Sequence, residues 1–163
     1  RITAEVVVPV GGSRGVIVCQ GGNMAGWSLY IDDEGRPVYH YNWMGHDHFI
    51  ATSAAPLAPG RHEVIVDFVY EGGFGVGGHA VLLVDGSPAA HTYVERSVPI
   101  VFSMSGESFD VGMDTGAPVG FYPHVYRFEG DIIGVTLERL SEPSPEFAAL
   151  IVEGEFRASL ATQ

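Results

Sequence analysis

Apolar runs in this chain stop after about the length of one β-strand, and the stops are rich in glycine, proline and Asp-Gly. That pattern constrains the fold more than any other feature. ITAEVVVP (2–9) alternates, with Ile2, Ala4, Val6 and Val8 on one face. GVIVCQ (15–20) is nearly continuous, as expected of a strand buried on both faces. GWSLYI (26–31) and PVYHYNW (37–43) flank Asp33-Glu34-Gly35, a hairpin loop. RHEVIVDFVYE (61–71) puts Val64, Val66, Phe68 and Tyr70 on one face and Asp67 on the other. HAVLLV and PAAHTYV flank Asp85-Gly86, where both central positions tolerate positive φ, so a tight turn is expected. RFEGDIIGVTLERL (127–140) reads as the last strand, bent at Gly134.

Short strands at regular spacing indicate an all-β, antiparallel β-sandwich of jelly-roll or lectin-like type, with a barrel as the alternative. The sandwich is expected over residues 1–140. The tail, 141–163, differs: Ser144-Pro145-Glu146 is a helix start, with Ser as N-cap and Pro at the first helical position. Phe147, Leu150, Ile151 and Ala158 roughly follow helical spacing, and Phe156 and Leu160 add apolar surface for this sheet or for a partner.

The 163 residues suffice for one domain with a substantial core. No run approaches the roughly 18 apolar residues of a membrane helix. The net charge of −12 disfavours nucleic acid and anionic membrane surfaces, since phosphate neutralisation needs clustered cations. One cysteine, Cys19, leaves no internal disulfide. The chain opens at Arg1 in a strand-like run, the pattern of a fragment or processed product, and the compartment stays open between bacterial cytoplasm and periplasm.

Several motifs point toward chemistry and are weighed against plainer readings. Gly73-Phe74-Gly75-Val76-Gly77-Gly78 matches G-x-G-x-x-G, but a nucleotide site needs a helix to follow, and the next segment is strand-like. It reads as a loop between antiparallel strands. His46 and His48 could present two imidazoles on one side of an extended segment for a transition metal, with His40, His62, His79, His91 or His124 as a third ligand, though no recognised spacing links them; a solvated loop is the plainer reading. Asp110 and Asp114 could hold calcium in a Gly-containing loop, or accept turn hydrogen bonds. The Glu-x-Asp-x-x-Glu signature of lectin-like glycosidases does not occur. Cys19 sits in an apolar run and reads as a core residue. Trp27, Tyr39, Tyr41 and Trp43 could stack on sugars or fill the sandwich core.

Three stretches, in order, resemble one family. GVIVCQGGNMAGWSLYIDDEGRPVYHYNW (15–43), PGRHEVIVDFVYEGGFGVGGHAVLLVDG (59–86) and FDVGMDTGAPV (109–119) are similar to the C-terminal accessory domain of bacterial arylsulfatases, and the likeness covers residues 2–140. The resemblance implies a non-catalytic domain packed on a sulfatase catalytic domain, or on an oligomeric copy. The formylglycine motif of that family, Cys/Ser-x-Pro-x-Arg, is absent. Cys19 is followed by Gln20-Gly21-Gly22, and Ser141-Glu142-Pro143-Ser144 ends in Pro145. No catalytic residue or resident cofactor therefore carries over, and His46-Asp47-His48 departs from the family's pattern. A lectin-like carbohydrate-binding module is the alternative.

Overall fold

The computed structural model describes residues 1–99, 102, 109–142 and 145. Ten strands follow in chain order: β1 (Ile2–Val8), β2 (Gly15–Gly22), β3 (Ala25–Ile31), β4 (Pro37–Trp43), β5 (Asp47–Thr52), β6 (Gly60–Tyr70), β7 (Val76–Val84), β8 (Ser87–Arg96), β9 (Phe109–Val111) and β10 (Asp131–Leu137). They form two five-stranded antiparallel sheets, β10-β1-β6-β7-β8 and β5-β4-β3-β2-β9. These are called the first and second sheets below. Two separate sheets packed face to face make a sandwich rather than a barrel. Apart from Pro145, the helix expected at residues 144–160, and with it the tail's apolar residues, lies outside the described residues.

The alternation of β1 holds. Ala4, Val6 and Val8 enter the core against Val64 and Val66 of β6 and Leu29 and Ile31 of β3. Asp67, on the opposite face of β6, is buried and paired with Arg1 through two bonds of 2.8 Å, Nε to Oδ1 and Nη2 to Oδ2. Asp85 and Gly86 both take positive φ, 49° and 75°, as a two-residue hairpin requires. The bend expected at Gly134 is a β-bulge: Glu5 faces Gly134 and Val6 faces Ile132, leaving Ile133 as the extra residue.

The Gly-rich segment after β6 leads into β7, which begins at Val76, so no helix follows it. Gly77 is needed for close approach, since a Cβ there would lie 1.6 Å from the Val94 carbonyl oxygen.

The run GVIVC is buried on both sides for a reason the strand itself does not supply. A bulge between Val16 and Val18 turns Ile17 and Val18 together into the main core. Val16 and Cys19 face outward, into a second cluster with Tyr30, Val38, Val119, Tyr122 and Tyr126. The last three belong to the irregular segment 112–128, which lies across the outer face of the second sheet.

Candidate functional site

That covered face holds the densest set of buried polar groups among the described residues. Strand alternation puts Ser28, His40 and Asn42 on it, all at or below 1% exposure. Irregular backbone over a sheet must find partners for its own N–H and C=O groups. Here it finds them in side chains as well as in the backbone of β2. Asn42 Nδ2 reaches the carbonyls of Gly22, Asn23 and Val119 at 3.1–3.3 Å, and its Oδ1 accepts from Gly45 N–H at 2.8 Å. Gly112 anchors the start of the segment, donating to Ile17 O at 2.8 Å and accepting from Phe128 N–H at 2.9 Å.

The two aspartates singled out in the sequence serve the same segment. Asp110 lies on β9 opposite Cys19, and its Oδ2 accepts from both the amide (2.9 Å) and the hydroxyl (2.6 Å) of Thr115. Asp114 is 1% exposed. Its Oδ1 accepts from Gly116 N–H at 3.2 Å, and its Oδ2 from Val119 N–H at 3.1 Å and Tyr122 O–H at 2.7 Å. Tyr122 has one hydroxyl proton and gives it to the carboxylate, so Ser28 donates across the 3.0 Å contact between the two hydroxyls. Burial pushes the Tyr122 phenol up, so it stays protonated.

The ligand atoms of Cys19, Asp110 and Asp114 lie within 4.8 Å of one another, a separation a cation could bridge. Both Asp114 oxygens are nevertheless directed at N–H and O–H donors. Burial, then Asp114 and Asp110, push the Cys19 thiol up, away from the thiolate that would bind a metal or attack a substrate. The arrangement closes a turn; it does not activate a nucleophile.

The histidines are arranged differently from the expectation. His46 and His48 do not converge. His46 is in the β4–β5 turn with its side chain 80% exposed, held by Asp47 at 2.9 Å. His48 is in β5, not in a loop, and its Nδ1 meets His40 Nε2 at 2.7 Å. Phe121 caps this pair, 4.5 Å from the His48 ring and 4.9 Å from the His40 ring. On the outer face of the first sheet a second pair forms, His79 Nδ1 to His91 Nε2 at 3.0 Å.

The four rings that could stack on sugars or fill the core occupy two kinds of position. Trp27, Tyr39 and Tyr41 are buried in the main core, and Tyr41 accepts from Val98 N–H at 2.8 Å. Trp43 is half-buried beneath Arg96, whose guanidinium carbon sits 4.6 Å from the ring centre. A cavity of 390 Å³ opens between the sheets beside Trp27, Tyr39 and Tyr41, with Phe68, Leu137 and Arg139 also on its wall. All three rings are nonetheless almost wholly buried.

Searches against protein-family models, curated proteins and solved structures find no match to this chain. The sequence pointed to Asp110 and Asp114, and to His40 only as a possible third ligand for His46 and His48, but not to Ser28, Asn42 and Tyr122. The available signal was that β3 and β4 carry large apolar residues at both parities: Leu29 and Tyr39 inward, Tyr30 and Val38 outward. Such strands are covered on both faces.

Proposed function

We propose that this domain is a non-catalytic interaction module of a bacterial arylsulfatase-type hydrolase, contributing surface rather than chemistry. One observation carries the reading. The groups a reaction would use, Cys19, Asp114, Tyr122 and His40, are turned inward and hydrogen-bonded or sealed in place. The ordered likeness of 15–43, 59–86 and 109–119 to the arylsulfatase accessory domain supports the choice of partner. Half-exposed Ile133, Leu137 and Leu140, on and after the edge strand β10, supply apolar surface for such a contact.

The test is reciprocal. Deleting this domain from the parent hydrolase should lower its melting temperature or disrupt its assembly, read by thermal melting and light scattering. A truncated parent that melts, assembles and turns over substrate like the intact one would overturn the proposal. It would also bring carbohydrate binding forward, to be tested on a glycan array.

A further inference from the structure

The His40–His48 pair has a geometry that leaves no place for another proton. The ring centroids are 4.9 Å apart and the ring planes cross at 83°. That separation exceeds the 2.7 Å N···N distance by about two ring radii, so the two nitrogens point at each other and share one hydrogen. The other nitrogen of His40, Nδ1, is buried and finds no hydrogen-bond partner among the described residues. Gly120 lies against it: a Cβ there would stand 2.9 Å from Nδ1. A polar hydrogen on Nδ1 would be aimed at carbon. The neutral pair therefore has His40 Nε2–H donating to His48 Nδ1, with the His48 hydrogen on Nε2.

Adding a proton breaks this arrangement. On His48 Nδ1 it would set two N–H groups head to head. The only escape moves the His40 hydrogen to the sealed Nδ1, where it has no acceptor. The surroundings offer little compensation. From β3 the pair meets Ser28, and from β5 Ile50 and His48 itself. Asp47, beside His48, is already engaged by His46 and Arg96. From the covering segment come Phe121 and Tyr122, whose proton is directed at Asp114. Burial, then the neighbouring His48, push the His40 imidazole down to about 3; burial lowers His48 too, against a smaller opposing pull from Asp47.

We propose that the His40–His48 pair is a pH-sensitive latch that holds segment 112–128 on the second sheet and releases it when the pair takes up a proton. Lifting Gly120–Tyr122 gives both imidazoles access to water and bares the cluster of Val16, Cys19, Tyr30 and Val38 beneath. The sign follows from linkage. Both rings titrate lower when closed than when open, so the closed form is fully favoured above the ordinary histidine value of about 6.5 and loses ground as pH falls below it.

Cys19, the only cysteine, lies in the covered cluster and reports on the segment. Its labelling by a dithiodipyridine is followed from pH 8 to pH 5, each rate divided by that of glutathione at the same pH. A rigid cover gives a constant ratio. The latch makes the ratio climb below about pH 6.5, toward tenfold per pH unit for each proton taken up, while far-UV circular dichroism stays constant. His48→Gln retains an acceptor for His40 Nε2–H without titrating, and should reduce the climb to that of His40 alone. A constant ratio in the wild type, an equal climb in His48→Gln, or a climb that appears only with global unfolding would each overturn the proposal. If His48→Gln does not fold, imidazole nitrogen shifts of the wild type decide instead. Ordinary titration of both rings, with the Val119 amide protected throughout, refutes the latch.

Discussion

Asp114→Asn is the sharpest probe of how the outer face of the second sheet is held. The carboxylate accepts three bonds, from Gly116 N–H, Val119 N–H and Tyr122 O–H. An asparagine keeps one oxygen. Placed where Oδ2 stands, that oxygen retains Val119 and Tyr122, but the new NH2 then faces Gly116 N–H, donor against donor. Flipped, it opposes Val119 N–H instead, and Tyr122 must redirect its proton to Ser28. Either way one buried donor loses its acceptor, which costs about 1–3 kcal/mol. The surviving bonds also drop from charge-assisted to neutral strength. Together these give a loss of about 2–3 kcal/mol, or roughly 5–10 °C in melting temperature for a chain of this size. Thermal melting by circular dichroism, with calcium and with chelator, measures it. Asp110→Asn is the control: one oxygen takes both Thr115 bonds, so an amide oxygen can stay in place and the shift should be smaller. If Asp114→Asn melts with the wild type, and calcium leaves the wild type unchanged, neither the hydrogen-bonded turn nor a calcium site is what this residue provides.

Gly77→Ala should be among the most damaging glycine substitutions, because its Cβ would meet the Val94 oxygen at 1.6 Å, whereas Gly86→Ala meets open space and strains only φ, a cost of roughly 1–2 kcal/mol; urea midpoints compare them. At Asp85, burial alone would raise the carboxyl, but the Glu63 amide and His62 outweigh it and hold the group below its usual range. Its contribution is therefore present above about pH 4 and lost as pH falls through the lower folded value; Asp85→Asn should be less stable than wild type at neutral pH and converge with it in strong acid. The chain alone should not hydrolyse a chromogenic sulfate ester, with or without calcium, and turnover that co-purifies with the chain would refute the non-catalytic reading. Elemental analysis of protein purified without a metal column should find substoichiometric zinc, since the nitrogens of His40 and His48 point at each other rather than at a common third point; one firmly bound zinc lost in His48→Ala would contradict that geometry.

The sandwich was legible because its signals are local. Ile2, Ala4, Val6 and Val8 keep one parity, and Asp85-Gly86 carries its turn type in two residues. Two strands were not. β5 opens with Asp47 and His48, polar residues that read as loop until Asn42 and Trp43 pair with them across the hairpin. β9 has only three residues, too few to show a period, and exists because Cys19 and its neighbours offer an edge to pair with. The site was harder still. Ser28, His40 and Asn42 stand at the polar parity of alternating strands and so read as a solvent face. What buries them is Tyr122, 94 residues along the chain from Ser28, and the segment around it. No window of sequence contains both partners.

The same distance explains why the aspartates invited a calcium-binding interpretation. A segment without helix or sheet lies over an apolar surface only if its amides are satisfied there. Backbone does this at the β2 bulge, where Ile17 O meets Gly112 N–H and Val16 N–H meets Tyr126 O, but most of the strands' own N–H and C=O groups are used within the sheet. Side chains must substitute. A carboxylate that accepts from Gly116, Val119 and Tyr122, and an amide that reaches three carbonyls, together serve six groups from two residues, Asp114 and Asn42. Residues with that capacity, short, polar and multidentate, are also the ones that hold ions and move protons. The difference lies in what faces them. Here the donors around Asp114 come from the segment that it closes, and His40 Nδ1, a buried atom of this face without a partner among the described residues, faces Gly120. The chemistry available to this face is therefore the making and breaking of its own cover.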